Sequence, residues 1–278
     1  MEPLPRISIV IPSSNQAGFL AGALDSLAAQ DYPDLEVIVV DGASTDGTVE
    51  LLKRRSDVVT RWVSEPDAGQ TYAMNKGYEM AGGQVFGGIN CDERYRPGAL
   101  RLVGEAFAQD PELDIVFGHR VLVDERGNEL GRARLPAIHP LSYALYAAGL
   151  LFWDTTFWTA EVHRATGRLD EANCPHYGMD YDWFGRLALN VKRWKCLDAY
   201  LSEFTEYEGR AAANVPEMPE IAHRVRKRLQ QLAGVGPLEV MLLGPLCFLL
   251  VRYGRYGWRG LLRPPSPLSL LRVAGIVQ

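Results

Sequence analysis

The N-terminal third of the chain alternates between short apolar runs and stretches in which apolar residues recur at helical spacing. The apolar runs, typical of buried strands, are Ile7–Ile11, Leu35–Val40, Val58–Val63 and Gln84–Ile89. The stretches with helical spacing are Phe19–Gln30, Thr48–Arg55 and Gln70–Ala81. Strands that alternate with helices of this length predict an α/β fold, with a mostly parallel sheet and helices on both faces.

The second half of the chain is less regular. Ile115–Val123 and Glu129–Arg134 flank a polar turn and predict a hairpin. An aromatic-rich stretch follows over Tyr143–Trp158. The spacing then predicts a helix over Tyr181–Leu189 and a basic helix over Glu217–Leu232.

Charge and cysteine usage exclude several classes of protein. The formal net charge is −5, which argues against a nucleic-acid partner. The four cysteines, Cys91, Cys174, Cys196 and Cys247, form no CxxC pair, which favours a reducing compartment. Because the N-terminus lacks the basic start and long apolar run of a signal peptide, we expect a cytoplasmic protein.

Acidic side chains follow two of the predicted strands at the point where each strand ends. Asp41 ends the second strand, and Asp92 and Glu93 follow the fourth. The carboxyl ends of parallel strands meet at one edge of a sheet, where ligands of open α/β sheets bind. Carboxylates gathered there favour Mg²⁺ or Mn²⁺ together with a substrate diphosphate. Neither GxxxxGK[ST] nor GxGxxG occurs, so kinase, ATPase and dinucleotide-binding functions lose their main support.

Five segments, in order, resemble the family 2 inverting glycosyltransferases, which have the nucleotide-diphospho-sugar transferase (GT-A) fold. They are ISIVIPSSN, LEVIVVDGASTDGT, SEPDAGQTYAMNKGYEMAGG, INCDERYRPGAL and GMDYDWFGRLAL, spread over roughly residues 6–210. The resemblance implies a glycosyltransferase domain over 1–214, with a nucleotide-sugar half (about 1–110) and an acceptor half (about 111–214). Residues 215–278 would form a C-terminal helical extension.

The resemblance also implies a role for individual residues. Those expected to bind the nucleotide sugar are Pro12, Ser13, Ser14, Asn15, Asp41, Asp67, Asn75, Lys76, Asn90 and Asp92. Asp92 and Glu93 would bind Mg²⁺ or Mn²⁺, and Asp180 would be the catalytic base. The donor would be a nucleotide-diphosphate sugar, with UDP as the first choice. The acceptor would be a saccharide or a lipid-linked molecule, and a homo-oligomer is left open.

The sequence departs from the family pattern at three positions. Ser14 stands where many members have an aromatic residue, and Glu93 replaces the usual aspartate. Many members carry a histidine near the position of Tyr207, and this chain has none there.

Structural roles compete with these functional ones. Asp46 and Thr48 are expected to cap the next helix, and Asp180 could likewise be a helix cap. Asp182 and Arg186, four residues apart, predict an ion pair worth a few tenths of a kcal/mol. The aromatic residues Trp153, Phe157 and Trp158 are expected in the core rather than on an acceptor sugar.

Two other functions also remain open. A nucleotidyltransferase would share the sheet and acidic site, but it would need a basic first loop, and PSSNQAGF has no Lys or Arg. A non-catalytic sugar-nucleotide-binding module would not need Asp180.

The C-terminal stretch suggests a location. Val235–Val251 is apolar but broken by Pro237, Glu239 and Pro245, which places it at the lower limit for a spanning helix. Arginines interleaved with Tyr253, Tyr256 and Trp258 follow. This pattern suits peripheral contact with the inner face of the plasma membrane, and equally a helical pair that covers the core or a dimer interface.

Overall fold

The computed structural model describes residues 3–135, 151–174, 176–208 and 216–236. The expected domain boundary at 214/215, the first half of the aromatic stretch Tyr143–Trp158 and nearly all of Val235–Val251 lie outside these residues. None of the helices described in these ranges is long and apolar enough to cross a bilayer.

Nine strands form one mixed sheet. They are β1 (Ile7–Ser13), β2 (Leu35–Asp41), β3 (Arg61–Ser64), β4 (Val85–Gly88), β5 (Glu93–Tyr95), β6 (Ile115–Val123), β7 (Glu129–Ala133), β8 (Thr156–Thr159) and β9 (Trp194–Thr205). The order is β3-β2-β1-β4-β8-β6-β9-β5, with β7 paired to β6. The half from β3 to β4 is parallel throughout. In the other half β6 and β9 are parallel, whereas β8, β7 and β5 pair antiparallel with their neighbours.

Helices cover both faces of the sheet. They are α1 (Ala17–Ala28), α2 (Thr48–Arg54), α3 (Gln70–Met80), α4 (Ala99–Gln109), α5 (Ala160–Thr166), α6 (Met179–Asn190) and α7 (Met218–Leu232), with a short 3₁₀ helix at Trp153–Thr155. The α/β class, the hairpin and the helices that were predicted from apolar spacing are confirmed within a few residues of their expected ends.

Two apolar cores explain why β1 and β2 are continuous apolar runs. Ile9 and Val37 belong to one core, which includes residues of α1, α2 and α4. Their chain neighbours Val10 and Ile38 belong to the other, which includes residues of α3, α6 and α7. Both faces of these strands are therefore buried, as expected for a parallel sheet between helices. Trp153, Phe157 and Trp158 are also buried, which confirms their expected place in the core.

One predicted strand is shorter than expected. The run Val58–Val63 forms a strand only from Arg61. Val59 instead donates its backbone N–H to the Arg55 carbonyl at 2.8 Å, in the turn that ends α2. Local apolar character does not distinguish such a turn from the start of a strand.

Candidate active site

The ends of the parallel strands lie side by side, as the strand-end argument predicts. Ser13 is in register with Asp41, and Asp41 with Ser64. On the other side of β1, the Cys91 thiol lies 3.3 Å from the Pro12 carbonyl oxygen. The polar segments that follow β1, β2, β3 and β4 therefore share one edge of the sheet, called here the donor edge.

Asp41 is the most enclosed acid of the donor edge. Its side chain is buried, with its carboxylate fixed by three donors. The Ser44 backbone N–H and hydroxyl donate at 2.9 and 2.5 Å, and the Ser64 hydroxyl donates at 2.6 Å. Asp67 lies beside it, since a Cβ added at Gly42 would sit 3.1 Å from Asp67 Oδ2. The Asp67 carboxylate therefore adjoins the residue that follows Asp41.

The loops after β1 and β2 are tied to each other. Asn15, which has a positive φ of 51°, donates its backbone N–H to the Ser44 hydroxyl at 2.7 Å and accepts the Thr45 N–H at 2.9 Å. Asp46 accepts the Ala17 N–H at 2.8 Å and both the N–H and the hydroxyl of Thr48. The N-cap residue of α2 is Gly47, so neither Asp46 nor Thr48 occupies the expected cap position. Asp46 still accepts the first helical N–H of α2, and the same carboxylate also serves the first turn of α1.

Ser14 occupies the position at which many family members carry an aromatic side chain. Ser14 is exposed and Pro12 is buried. Tyr207, where many family members have a histidine nearby, packs against Phe19 of α1 with ring centroids 5.0 Å apart and the rings tilted by 31°. An aromatic pair is therefore present at the start of α1, although neither ring was predicted to belong to the site.

The acidic segment after β4 is buried at the donor edge. Burial, together with the negative charges of Asp92, Asp41 and Glu93, raises the pKa of the Cys91 thiol to about 12. The negative charges of these three carboxylates therefore act on the Cys91 thiol. Glu93 accepts hydrogen bonds from the Asn90 N–H at 2.7 Å and from the Asn90 side-chain amide at 3.2 Å. Both Glu93 oxygens thus orient Asn90.

Asn75 and Lys76 connect α3 to two different loops, one at residues 169–171 and one after β3. The Asn75 amide accepts the Leu169 N–H at 2.8 Å and donates to the Leu169 carbonyl at 3.0 Å and to Glu171 at 2.6 Å. Lys76 forms an ion pair with Glu65, the residue after β3. The structure therefore places Lys76 close to the donor edge, whereas the Asn75 amide is used by the 169–171 loop.

The first turn of α3 connects the donor edge to the start of α6. Gln70 donates its side-chain amide to Asn90 Oδ1 at 2.7 Å. The Thr71 hydroxyl lies 2.5 Å from the Cys174 carbonyl oxygen and 3.0 Å from the Met179 sulfur. Met179 directly precedes Asp180. The adjacent residues Gln70 and Thr71 therefore contact the donor edge and the start of α6, respectively.

Asp180 lies in the first turn of α6. The N-cap residue is Gly178, whose φ of 76° favours glycine, and a Cβ there would lie 2.5 Å from the Ile221 side chain. Asp180 accepts the N–H of Tyr181 at 2.9 Å. Asp180 is not the N-cap residue, but its carboxylate satisfies one free N–H of the first turn, so both the structural and the catalytic roles stay predictions. Burial raises the pKa of its carboxyl, and the positive charge of Arg120 partly opposes that rise.

Arg120 and Asp154 were not predicted from the sequence. The Arg120 guanidinium carbon lies 3.9 Å from the ring centroids of both Phe152 and Phe204. Arg120 is also 3.5 Å from Asp154, which is fully buried and accepts the Ser202 hydroxyl. The sequence signal was an arginine, next to His119, within the largely apolar strand β6.

Asp182 forms the expected ion pair, but its setting differs from the expectation. Its carboxylate is fully buried and lies 2.7 Å from Arg186 and 3.2 Å from Arg228 of α7. Arg228 also pairs with Asp170 at 2.7 Å. The expected value of a few tenths of a kcal/mol applies to a solvated helix face, so it is wrong for this buried network.

Comparison with known proteins identifies the family. Residues 8–173 match the family model described as glycosyl transferase family 2. Chondroitin synthase of Pasteurella multocida is 31% identical over 41% of this chain and 12% of its own length. The PGL/p-HBAD biosynthesis glycosyltransferase of Mycobacterium bovis is 32% identical over 42% of this chain and 48% of its own. The chain spans less than half the length of these curated relatives.

Solved structures show the same fold. The structure of Staphylococcus aureus TarS in complex with UDP-GlcNAc aligns with a TM-score of 0.68 at 18% identity, over 98% of this chain and 84% of that one. A mannosyltransferase from Pyrobaculum calidifontis, in complex with GDP-Man and Mn²⁺, aligns with a TM-score of 0.56 at 18% identity, over 99% and 87%. The chain has the GT-A fold of these structures and belongs to glycosyl transferase family 2.

Proposed function

We propose that the protein transfers a sugar from a nucleotide-diphosphate sugar to an acceptor hydroxyl, with inversion at the anomeric carbon and with Asp180 as the base. One observation carries this proposal. Gln70 contacts Asn90 at the donor edge, and Thr71 contacts the residue before Asp180. A donor bound at the edge would therefore have its sugar directed toward the carboxylate at the start of α6.

The donor edge suits a nucleoside diphosphate. Asp41 presents a carboxylate held by two serines, which can accept hydrogen bonds from a base or a ribose. Ser13, Ser14, Asn15 and Asp67 lie around it. UDP is the first choice for the nucleotide, in line with the family resemblance and with the UDP-GlcNAc held by TarS.

The acids at the end of β4 fit a divalent ion that is shared with the substrate. In the described parts of the chain, no group of three or more His, Cys, Asp or Glu side chains is arranged to hold an ion alone. Mg²⁺ and Mn²⁺ at phosphate sites commonly use one or two carboxylates and complete their shell with phosphates and water. Asp92 would be such a ligand, and Glu93 would orient Asn90 beside it. When bound, the ion would neutralise charge on the leaving diphosphate.

Asp180 has the properties of a general base. Burial raises the pKa of its carboxyl and so raises its affinity for a proton, while the backbone hydrogen bond from Tyr181 and the charge of Arg120 limit the rise. It would take the proton from the acceptor hydroxyl as that oxygen attacks the anomeric carbon from the side opposite the leaving diphosphate. One such displacement inverts the anomeric configuration. The acceptor would be a saccharide or a lipid-linked molecule of surface polysaccharide assembly.

The test is Asp180→Asn, which keeps the shape of the side chain but removes the base. We expect normal folding and nucleotide binding, with turnover lower by roughly 10²-fold or more. Glu161→Gln is the matched control, because Glu161 is an exposed carboxylate in the first turn of α5. Near wild-type turnover in Asp180→Asn would refute the assignment of the base.

The reaction products separate this proposal from its alternatives. With Mn²⁺ and a panel of sugar nucleotides, the transferase releases nucleoside diphosphate only when an acceptor is present. Release of pyrophosphate would identify a nucleotidyltransferase, and binding without release would identify a non-catalytic module. Proton NMR of the product tests inversion, and a thermal-shift series with UDP, GDP, TDP and CMP tests the donor base.

A further inference from the structure

The outer face of α7 carries a stripe of basic side chains. Ala222, Val225 and Leu229 are buried and fix the inner face of this helix. The opposite face is exposed at helical spacing and contains His223, Arg224, Lys227 and Arg228, called here the basic stripe. Exposed Leu232 follows in the last turn, with 56% of its surface accessible. The protein as a whole has a net charge of −5, so this positive charge is a local feature.

The partners of the stripe leave most of its charge facing outward. Arg228 is shared with Asp170 and Asp182. Among the described residues, Arg224 donates to a backbone carbonyl, that of Asn173, at 3.4 Å. The acidic residues of the helix, Glu217 and Glu220, lie at its N-terminal end, away from the last turns.

The stripe lies next to the catalytic region. Ile221 of α7 contacts the Gly178 position that starts α6, and Arg226 donates to the Tyr181 hydroxyl at 3.2 Å. A surface that binds the outer face of α7 would therefore lie one helix away from Asp180.

We propose that the basic stripe of α7 docks the protein on an anionic phospholipid bilayer. Basic side chains near a membrane surface are attracted to anionic head groups, and an exposed leucine beside them can enter the interface. The sequence after the helix continues this composition, with an apolar run over 240–251 followed by Arg252, Arg255 and Arg259 among Tyr253, Tyr256 and Trp258. A soluble acidic polymer would match the charge but not this apolar and aromatic content.

Docking through the stripe would bring the catalytic region to the membrane surface, an inference that rests on the proposed transferase activity. A docked enzyme would hold the start of α6 close to the lipid head groups. Acceptors that carry a lipid anchor would then meet Asp180 at the membrane surface.

The experiment measures cosedimentation of the full chain with vesicles, in the absence of any sugar nucleotide. Phosphatidylcholine vesicles with and without phosphatidylglycerol are compared. We expect binding only with phosphatidylglycerol, weakened by salt. The double variant Arg224→Glu/Lys227→Glu should bind roughly tenfold or more weakly. The milder Arg224→Gln/Lys227→Gln should show a smaller loss in the same direction.

The matched control is Lys53→Glu/Arg54→Glu on α2, which makes the same change in net charge on exposed side chains of another helix. It should bind vesicles like the wild type. Equal binding by the stripe variants, or an equal loss in the α2 control, would overturn the proposal. Binding to soluble polyglutamate as tight as binding to vesicles would also overturn it, in favour of an acidic polymer partner. Thermal melting and turnover with a soluble acceptor report folding and the transferase activity separately.

Discussion

The substitution Asp182→Asn should separate structural from catalytic carboxylates in the first turns of α6. Asp182 is fully buried, with one oxygen 2.7 Å from Arg186 Nε and the other 3.2 Å from Arg228 Nη1. Asparagine has the same shape but no charge. The change therefore leaves two guanidinium groups facing a neutral amide, whose nitrogen can only donate hydrogen bonds.

The remaining partners of the two arginines set the size of the effect. Removing one member of a buried ion pair commonly costs about 3–5 kcal/mol. Arg186 keeps the Thr166 and Arg168 carbonyls at 3.0 and 2.9 Å, and Arg228 keeps Asp170. Each cation thus retains part of its hydrogen bonding, which brings the expected loss in unfolding free energy to about 2–3 kcal/mol. For a chain of this size that corresponds to a melting temperature lower by roughly 4–12 °C.

The assay is thermal and denaturant unfolding of Asp182→Asn and Asp180→Asn side by side. We expect Asp182→Asn to lose stability but to keep its turnover per folded molecule, and Asp180→Asn to show the reverse. An unchanged melting temperature in Asp182→Asn would refute the reasoning, because it would mean that the buried network contributes nothing to the fold. A loss of turnover as large as that in Asp180→Asn would refute the separation of roles.

Three further predictions concern the site. Arg120→Gln should move the acid limb of the kcat/KM profile to higher pH, because loss of the cation leaves burial opposed only by the backbone hydrogen bonds to the Asp180 carboxylate. A pH–rate profile checks this, with Arg120→Lys as the charge-preserving control and an unmoved limb as the contrary result. Asp46→Ala removes the acceptor for the Ala17 and Thr48 N–H groups and should lower the free energy of unfolding by about 1–2 kcal/mol. Denaturant unfolding measures this, and a change within experimental error would show that water replaces the carboxylate. Asp41→Asn should weaken nucleotide binding by roughly tenfold or more in titration calorimetry, with unaltered affinity arguing that the nucleotide binds elsewhere.

The parallel half of the sheet could be predicted from sequence because its strands are buried on both faces. Runs such as Ile7–Ile11 and Leu35–Val40 contain almost no polar residue, so their character is plain without knowledge of their neighbours. β9 was not predicted, since it is mostly half-buried and its pairing with β6 is interrupted by register shifts. Its 12 residues show no clean alternation of apolar and polar side chains.

The candidate site shows a similar division. Asp41 follows a strand that could be recognised, so its position at the sheet edge could be predicted from the chain itself. Arg120 could not be assigned, because its surroundings come from Phe152, Asp154 and Phe204, which are distant in sequence. The contacts of Glu93 with Asn90 depend on how the loop folds back after β4, which residue type alone does not determine.

The interlocked loops at the donor edge limit how the protein can be re-engineered. Asn15 is hydrogen-bonded to Ser44 and Thr45, and Asp46 accepts a hydrogen bond from the first turn of the helix that follows Asn15. Replacing either loop alone would break hydrogen bonds made by the other. A chimera intended to accept a different nucleotide must therefore exchange residues 12–17 and 41–48 together, as one cassette.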